Sequence, residues 1–518
     1  MALLLPSADP RPLTSGLHHT DAFHREPLFA VHRADGAGTP VVVRSWEEAH
    51  ALHGPARPED VNPAYVAALL RERHDASLAP YRRIQRLPRA HYVWIDAEGS
   101  VHASPYDPLA GGAGPMPAEE LHGFLREGLL DHLQRTLAGC DGLIGCEHSS
   151  GLDSNAVVGG LLLGSGISPD RLHTWSLETG GEGPLLEQFR PFHGVLASHC
   201  HSGDPSARWR DPPGHRQKQL EVYGAPPQIG GNGSAADLLS RQGCRLLFSG
   251  FGGDQAISHN ANNVPTDLVA QGRWKELVGW VGSRRQAVKI AAGRTVALRH
   301  RPWAEGKVWG QTRAFARSHL LERSLTEEGK MWLGPHLKHN YPWELDGYLR
   351  QGESIRRRVL ADWVAVRVDE ESRMAAAHGM AMAFPLLDTL LIGTLLRQEP
   401  LLFGEGQRRG RLLHRQAFAP FLPPLLRADP TKARAFGEEL QEWREEIARH
   451  RREALAHHLR EAGNWHPALG YWWDLGAIRR EGEAMLEKTD TPMLEVTGTE
   501  QAIGTLAGLN HWWQALDG

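Results

Sequence analysis

The sequence predicts an α/β protein: a parallel sheet with helices on both faces, preceded by a small α+β segment and followed by a helical region. Three observations carry that expectation. Between Ala118 and Phe248, short apolar runs alternate with amphipathic stretches, the pattern that strand-helix-strand units produce in parallel sheets. Two of the runs end in small-residue loops, Ser149-Ser150-Gly151-Leu152-Asp153-Ser154 and Ser249-Gly250-Phe251-Gly252-Gly253-Asp254. Beyond Asn260 the pattern is almost wholly helical.

The elements follow in order. Residues 1–60 are rich in Pro, Gly, His and Ala with little periodicity, and read as loops with a few short strands. Pro63 to Leu70 reads as a helix. Arg83 to Pro88 leads into a strand from His91 to Asp96, which Glu98-Gly99 turns back into Val101-His102-Ala103, a hairpin. The Gly/Pro-rich stretch Ala110 to Pro117 is a linker, so a first domain is expected over 1–115. Ala118 to Ala138 is an amphipathic helix and Leu143 to Cys146 a buried strand. After the serine-glycine loop, a helix from Asn155 to Leu163 is stopped by Gly164 and Gly166. Leu172 to Leu177 and Arg245 to Phe248 are further strands. A second domain is expected over 116–436 and a helical extension over 437–518. There Leu440, Trp443, Ile447, Leu455 and Leu459 share one helical face, a core-facing stripe.

Composition bounds the function. A chain of 518 residues calls for two or three domains, and 41% hydrophobic residues suffice for sizeable cores. The net charge of -4 gives no global basic field for nucleic acid or an anionic membrane. Arg356-Arg357-Arg358 reads as a solvated helix face. Four cysteines make no disulfide scaffold, so reduced thiols and a cytoplasmic setting are expected. The start Met1-Ala2-Leu3-Leu4-Leu5-Pro6 lacks the features of a signal peptide, and no apolar run approaches the ~20 residues of a membrane span. The 17 Trp lie mostly in the second half and are read as core or subunit contacts, some of them as the wall of a peptide groove. His199-Cys200-His201 offers soft donors, but such tight spacing rarely wraps one zinc. Gly231 to Ser234 is read as a turn, with a substrate-side loop as the alternative.

The chemistry centres on the two loops. A strand that ends in Ser-Ser-Gly-Leu-Asp-Ser and opens into a helix is an anion cradle, with backbone N–H groups, hydroxyls and the helix dipole facing a phosphate. A carboxylate beside phosphates is repulsive unless a metal lies between them, so Asp153 predicts Mg²⁺. No Gly-x-x-x-x-Gly-Lys-Ser/Thr loop occurs, which excludes a Walker-type NTPase. Loops at the carboxyl ends of parallel strands share one crevice. Asp153 and Asp254 are therefore expected to converge on one nucleotide triphosphate.

The first loop is similar to the Ser-Gly-Gly-Leu-Asp-Ser pyrophosphate loop of the asparagine synthetase family, with Ser150 in place of the first glycine. The second matches that family's Ser-Gly-x-Gly-x-Asp-Glu. Arg373-Met374-Ala375-Ala376-Ala377-His378 through Phe384-Pro385-Leu386-Leu387-Asp388 resembles its Arg-Met-Ser-Met-Ala-His … Pro-Phe-Leu-Asp. Leu422-Pro423 followed by Lys432 resembles its Leu-Pro … Lys, Gly406 to Arg415 its Gly-Lys … Leu-Arg stretch, and Ile84 to Tyr106 the end of its amino-terminal domain. The likeness spans roughly residues 80 to 436. It implies the adenine-nucleotide alpha-hydrolase fold of the PP-loop type. By the same resemblance, Ser149, Ser150, Gly151, Asp153 and Ser154 hold the pyrophosphate of ATP, and Ser249 and Gly250 contact the AMP part. Asp153 and Asp254 bind Mg²⁺, and Lys432 neutralises the acyl phosphate and the departing pyrophosphate. A carboxylate would be adenylated and then attacked by an amine.

The departures bear on the acceptor. Residue 2 is Ala where glutamine-hydrolysing members carry a cysteine, and the first domain looks like a truncated glutaminase domain. Phe251 stands where asparagine synthetases place Glu and β-lactam synthetases Tyr, Gln255 replaces Glu, and Ala381 and Ala383 replace Glu and Arg. In the run Asp369-Glu370-Glu371, Asp369 aligns best with a catalytic glutamate of β-lactam synthetases, and Glu370 is the adjacent option as proton acceptor. Three readings follow. One is a ligase resembling the lasso-peptide cyclases, acting on a precursor peptide beside a leader-peptide-binding protein and a protease. Another is an asparagine-synthetase-like or β-lactam-synthetase-like ligase on a small-molecule carboxylate. The third is a catalytically dead peptide-binding scaffold.

Overall fold

The computed structural model describes residues 13, 16–23, 25, 27–32, 39–70, 74–177, 182–203, 215–230, 233–299, 320–337, 349–406, 409–428, 439–461, 464–487 and 493–517. At its centre lies a five-stranded sheet in the order Ala381–Ala383, Cys244–Phe248, Leu143–Glu147, Leu172–Ser176 and Cys200–Ser202. Every pairing in it is parallel. From Leu143–Glu147 the chain winds outward through two strands, then returns to lay Cys244–Phe248 on the opposite side. Strand order therefore reverses between these two strands, which opens a crevice beyond their carboxyl ends.

Helices cover both faces, as expected. On one, the helix Ala118–Leu137 buries Leu121, Leu125, Leu129 and Leu133, a stripe at four-residue spacing, against Ala156, Val157, Leu161, Ile144, Cys146, Leu246 and Phe248. Each such leucine contributes about 1.5–3 kcal/mol by leaving water. On the other, Ala235, Ala236 and Leu239 of the helix Gly233–Arg241 meet Cys244, Leu247, Ala375 and Met380. A register irregularity between Cys244 and Leu246 lets Cys244 and Leu247, three residues apart, share that face.

Several strands and helices fall close to expectation: Pro63–Leu70, His91–Ile95 and Val101–Pro105 among them. The outer strands Cys200–Ser202 and Ala381–Ala383 were not expected, because three residues give no readable alternation. The helix Trp46–His53 was also missed, although Ser45 and Glu48 form a capping box at its start.

Before the linker stand two three-stranded antiparallel sheets, Gly16–Thr20 with His91–Ile95 and Val101–Pro105, and Val41–Val43 with Phe29–Val31 and Ile84–Arg86. The second shares one apolar cluster with the far end of the chain. Phe29, Val43, Trp46, Tyr65 and Tyr81 pack with Leu455, Leu459, Trp473, Ile478, Trp512 and Trp513. Trp473, Trp512 and Trp513 are fully buried there, so those three serve as core and not as groove wall. Of the helical stripe named above, the side chains of Leu440, Trp443 and Ile447 lie outside the described residues, while Leu455 and Leu459 are buried. No helix among the described residues is long and apolar enough to cross a membrane.

Candidate active site

Both loops emerge into the crevice. Leu143–Glu147 runs into Ser149-Ser150-Gly151, and Gly151 starts the helix Leu152–Gly159. The loop is braced by its own side chains. Ser154 Oγ accepts from Ser149 N at 3.1 Å, and Asn155 Nδ2 donates to the carbonyls of Ser149 and Gly151 at 2.9 and 2.7 Å. His148 Nε2 lies 3.2 Å from Asn155 Oδ1. Burial, with His193 and Arg190 nearby, pushes the His148 imidazole down to about 3, so it is neutral and Nε2 is the donor.

The second loop closes onto the first. Ser249 N donates to Ala383 O at 3.0 Å, and Ser249 Oγ donates to Glu147 Oε2 at 2.6 Å. The approach is backbone to backbone. A Cβ on Gly250 would stand 2.6 Å from Ser154 N, and one on Gly253 would stand 2.2 Å from Asp153 Cγ. Only glycine permits both approaches. The two loop aspartates meet at one hydroxyl: Ser258 Oγ lies 3.1 Å from Asp153 Oδ2 and 3.3 Å from Asp254 Oδ1.

Cationic and imidazole groups flank this pair. Arg411, in the left-handed region at φ 63°, reaches Asp254 Oδ1 at 2.8 Å. His414, fully buried, places Nε2 at 3.1 Å from Asp153 Oδ1. Burial alone would raise the Asp153 carboxyl, but His414, Ser258 and Arg411 outweigh it and hold it below the usual carboxylate range. Among the described residues, Asp153 Oδ1 is nevertheless a buried oxygen without a hydrogen bond of acceptable direction. A buried, ionised, incompletely satisfied carboxylate facing a second one fits a divalent cation.

The cradle at Ser150 is occupied by the chain's own carboxylate. Glu182 Oε1 accepts from Ser150 Oγ at 2.8 Å and from Ser150 N at 3.3 Å. An incoming phosphate must displace it, which lowers apparent affinity by the fraction of sites already open. Glu182→Gln is therefore expected to lower the KM for ATP about tenfold, since a hydrogen bond to an ion is worth about 1.5–3 kcal/mol and the amide keeps part of it. Initial rates at varied ATP check this, and an unchanged KM would count against it.

The acidic run sits on the helix Asp362–Ala377, where successive residues point some 100° apart. This separates its three members. Asp369 is fixed between Arg86 at 2.9 Å and Arg373 at 3.5 Å. Glu370 accepts from the backbone N–H groups of Gln228, Ile229 and Gly230 at 2.8, 2.9 and 2.8 Å. Asp369 and Glu370, the expected proton acceptors, are thus engaged by arginines and by backbone N–H groups, and the member of the run that pairs beside Phe251 is Glu371. Glu371 binds Arg367 Nε at 2.7 Å, and the Arg367 guanidinium lies 4.1 Å from the centroid of the Phe251 ring. Burial raises the Glu371 carboxyl to about 7, with Glu147 and Glu370 adding repulsion against the pull of Arg367. Phe251 also meets Trp363 and Phe384 edge-on, at 5.5 and 6.1 Å. Around Phe251 the structure thus gathers aromatic rings, one guanidinium and one carboxylate.

The structure brings together Ser149, Ser150, Gly151, Asp153, Ser154, Ser249, Gly250 and Asp254, while Lys432 lies outside the described residues. Sequence reading missed Glu182 and Ser258, named Glu371 only as a member of the acidic run, and marked the stretch of Arg411 and His414 without giving either a role. A search among curated proteins found no match. The family model described as Asparagine synthase matches residues 222–487, just over half of the chain. It takes in the second loop and the helix of the acidic run and begins after the first loop. With that match and the converging loops, the chain belongs to the asparagine synthase family, whose membership implies an ATP-dependent ligase that forms AMP and pyrophosphate.

Proposed function

We propose that the protein adenylates a carboxylate and joins it to an amine already carried by the same substrate, closing a macrolactam in a precursor peptide in the manner of lasso-peptide cyclases. The convergence of Asp153 and Asp254 on Ser258 supports the nucleotide half of this reading. A divalent cation, Mg²⁺ in this family's chemistry, would be held by Asp153 and Asp254 and would offset phosphate charge. Ser149, Ser150, Gly151 and Ser154 grip the pyrophosphate, Ser249 and Gly250 the AMP part, and Lys432 neutralises the leaving group. Positioning and electrostatics then carry most of the catalysis.

The observation that favours a peptide is the acceptor wall. Phe251 and Trp363, both partly exposed and backed by the buried Phe384, offer flat apolar area, which suits peptide side chains better than free ammonia. Glu371 takes the proton of the attacking amine. Tethering the amine to the acyl group replaces a bimolecular encounter with a high effective concentration. A leader-peptide-binding protein and a protease would supply the trimmed precursor.

The test is to combine the protein with ATP, Mg²⁺ and a candidate precursor peptide. The expected outcome is a peptide lighter by one water, with AMP and pyrophosphate in equal amounts and no response to glutamine. Release of ADP would refute the adenylation step. Stoichiometric glutamine hydrolysis would replace the cyclase with a glutamine-dependent synthetase, and turnover only of a small acid with ammonia would point to a small-molecule ligase.

A further inference from the structure

We propose that His414 is a nitrogen ligand of the cation at Asp153, and that this site therefore prefers manganese-like ions over magnesium. The inference rests on the metal role given to Asp153 in the ligase reading and assigns that metal's coordination. His414 Nε2 and Asp153 Oδ1 stand 3.1 Å apart. Both are buried, and among the described residues neither completes a hydrogen bond of acceptable direction with the other or with another group. The separation is what two neighbouring ligands of one ion require: bonds of about 2.1 Å at a right angle put the donor atoms about 3 Å apart.

The surroundings agree. Arg411 engages Asp254 and leaves the Asp153 side to His414. The imidazole is held by packing, with Phe418 edge-on at 4.9 Å and Nδ1 without a hydrogen bond. Asp153 Oδ2, bonded to Ser258, faces the Asp254 side, which leaves Oδ1 toward His414. Imidazole raises affinity for first-row transition ions relative to magnesium, which takes oxygen.

The other cluster of candidate ligands, His457, His458 and Glu461, is already engaged by Arg216, which bonds Glu461 at 3.0 Å and His458 at 2.8 Å. Arg216 holds two of the three donors there, whereas at the loop site the Arg411 ion pair is with Asp254. The cluster still offers nitrogen, so it serves as the control.

The experiment uses Mn²⁺ alone, with no nucleotide or substrate. Free Mn²⁺ is counted by electron paramagnetic resonance, and nitrogen coupling to the bound ion is read by electron spin-echo modulation. The expected result is nitrogen modulation in the wild-type chain, its loss in His414→Gln, and Mn²⁺ affinity weakened about tenfold to a hundredfold. Mg²⁺ affinity, read by competition, should fall less than about threefold. Asp153→Asn should lose binding of both. Three results would overturn the proposal: no Mn²⁺ binding, bound Mn²⁺ without nitrogen modulation, or modulation that survives His414→Gln and disappears in His458→Gln. If His414→Gln does not fold, His458→Gln decides: modulation must survive it, and its disappearance there overturns the proposal. Nitrogen-coupled Mn²⁺ in a protein with no ATP turnover would sink the ligase reading and leave this one standing.

Discussion

Glu371→Gln is expected to reduce amide formation by about 10²–10⁴, the usual reach of a positioned general base, while ATP–pyrophosphate exchange continues. The amide nearly preserves volume and can still accept from Arg367, so what is removed is the ability to take a proton. The wild-type rate should rise with pH through about 7, where the Glu371 carboxyl ionises, and level off above it. Glu371→Gln should flatten that rise. Stability carries the same signature with the opposite sign. The folded carboxyl titrates near 7 and the unfolded one near 4.5, so between these values the folded chain binds more protons. Its contribution to stability is therefore fully present below 4.5 and is lost as pH rises toward 7. Asp369→Asn should behave differently. It leaves the buried Arg86, and beside it the half-buried Arg373, without their carboxylate and should cost about 3–5 kcal/mol of folding stability. A Glu371→Gln protein that lost exchange and amide formation together would refute the assignment.

Asp153→Asn should remove adenylation altogether, with ATP–pyrophosphate exchange reduced roughly 10³-fold, the equivalent of about 4 kcal/mol of charge stabilisation. The substitution is close to isosteric in a site that tolerates no added atom, since Gly253 already abuts the Asp153 carboxylate. Loss of exchange with an unchanged melting temperature would locate the effect in the chemistry. Retained exchange would mean that Asp254 and Arg411 suffice without it, and the two-aspartate reading would fail.

The parts of the site that could be read in the sequence are those in which one short segment carries the whole signal. Each glycine loop has its small residues, its aspartate and its preceding strand within about a dozen positions. Their convergence also follows from the sequence, because parallel strands put their loops at one edge. Residues that depend on the direction of a side chain could not be read in the same way. Asp369, Glu370 and Glu371 are consecutive and chemically alike, and only the docked face of their helix decides which reaches Phe251. His414 and Arg411 come from a segment more than 150 residues past the second loop, where nothing local marks them as partners of Asp153 and Asp254. The sheet's outer strands were lost for another reason: Ala381–Ala383 is defined by pairing with Cys244–Phe248, and its own residues have little strand preference.

The cluster that joins Trp46, Tyr65 and Tyr81 to Trp512 and Trp513 has a consequence during synthesis. Trp512 Nε1 donates to the Tyr81 hydroxyl across 431 residues of chain. At roughly 5–20 residues per second, the early strands wait on the order of 20–90 s for the helix that covers them. Over that interval the ribosome displays an apolar sheet face and two tyrosines with no lid. Nascent chains of this protein should therefore be held by chaperones until the last helix emerges, and yield on expression should respond to chaperone supply more than to the stability of the finished fold.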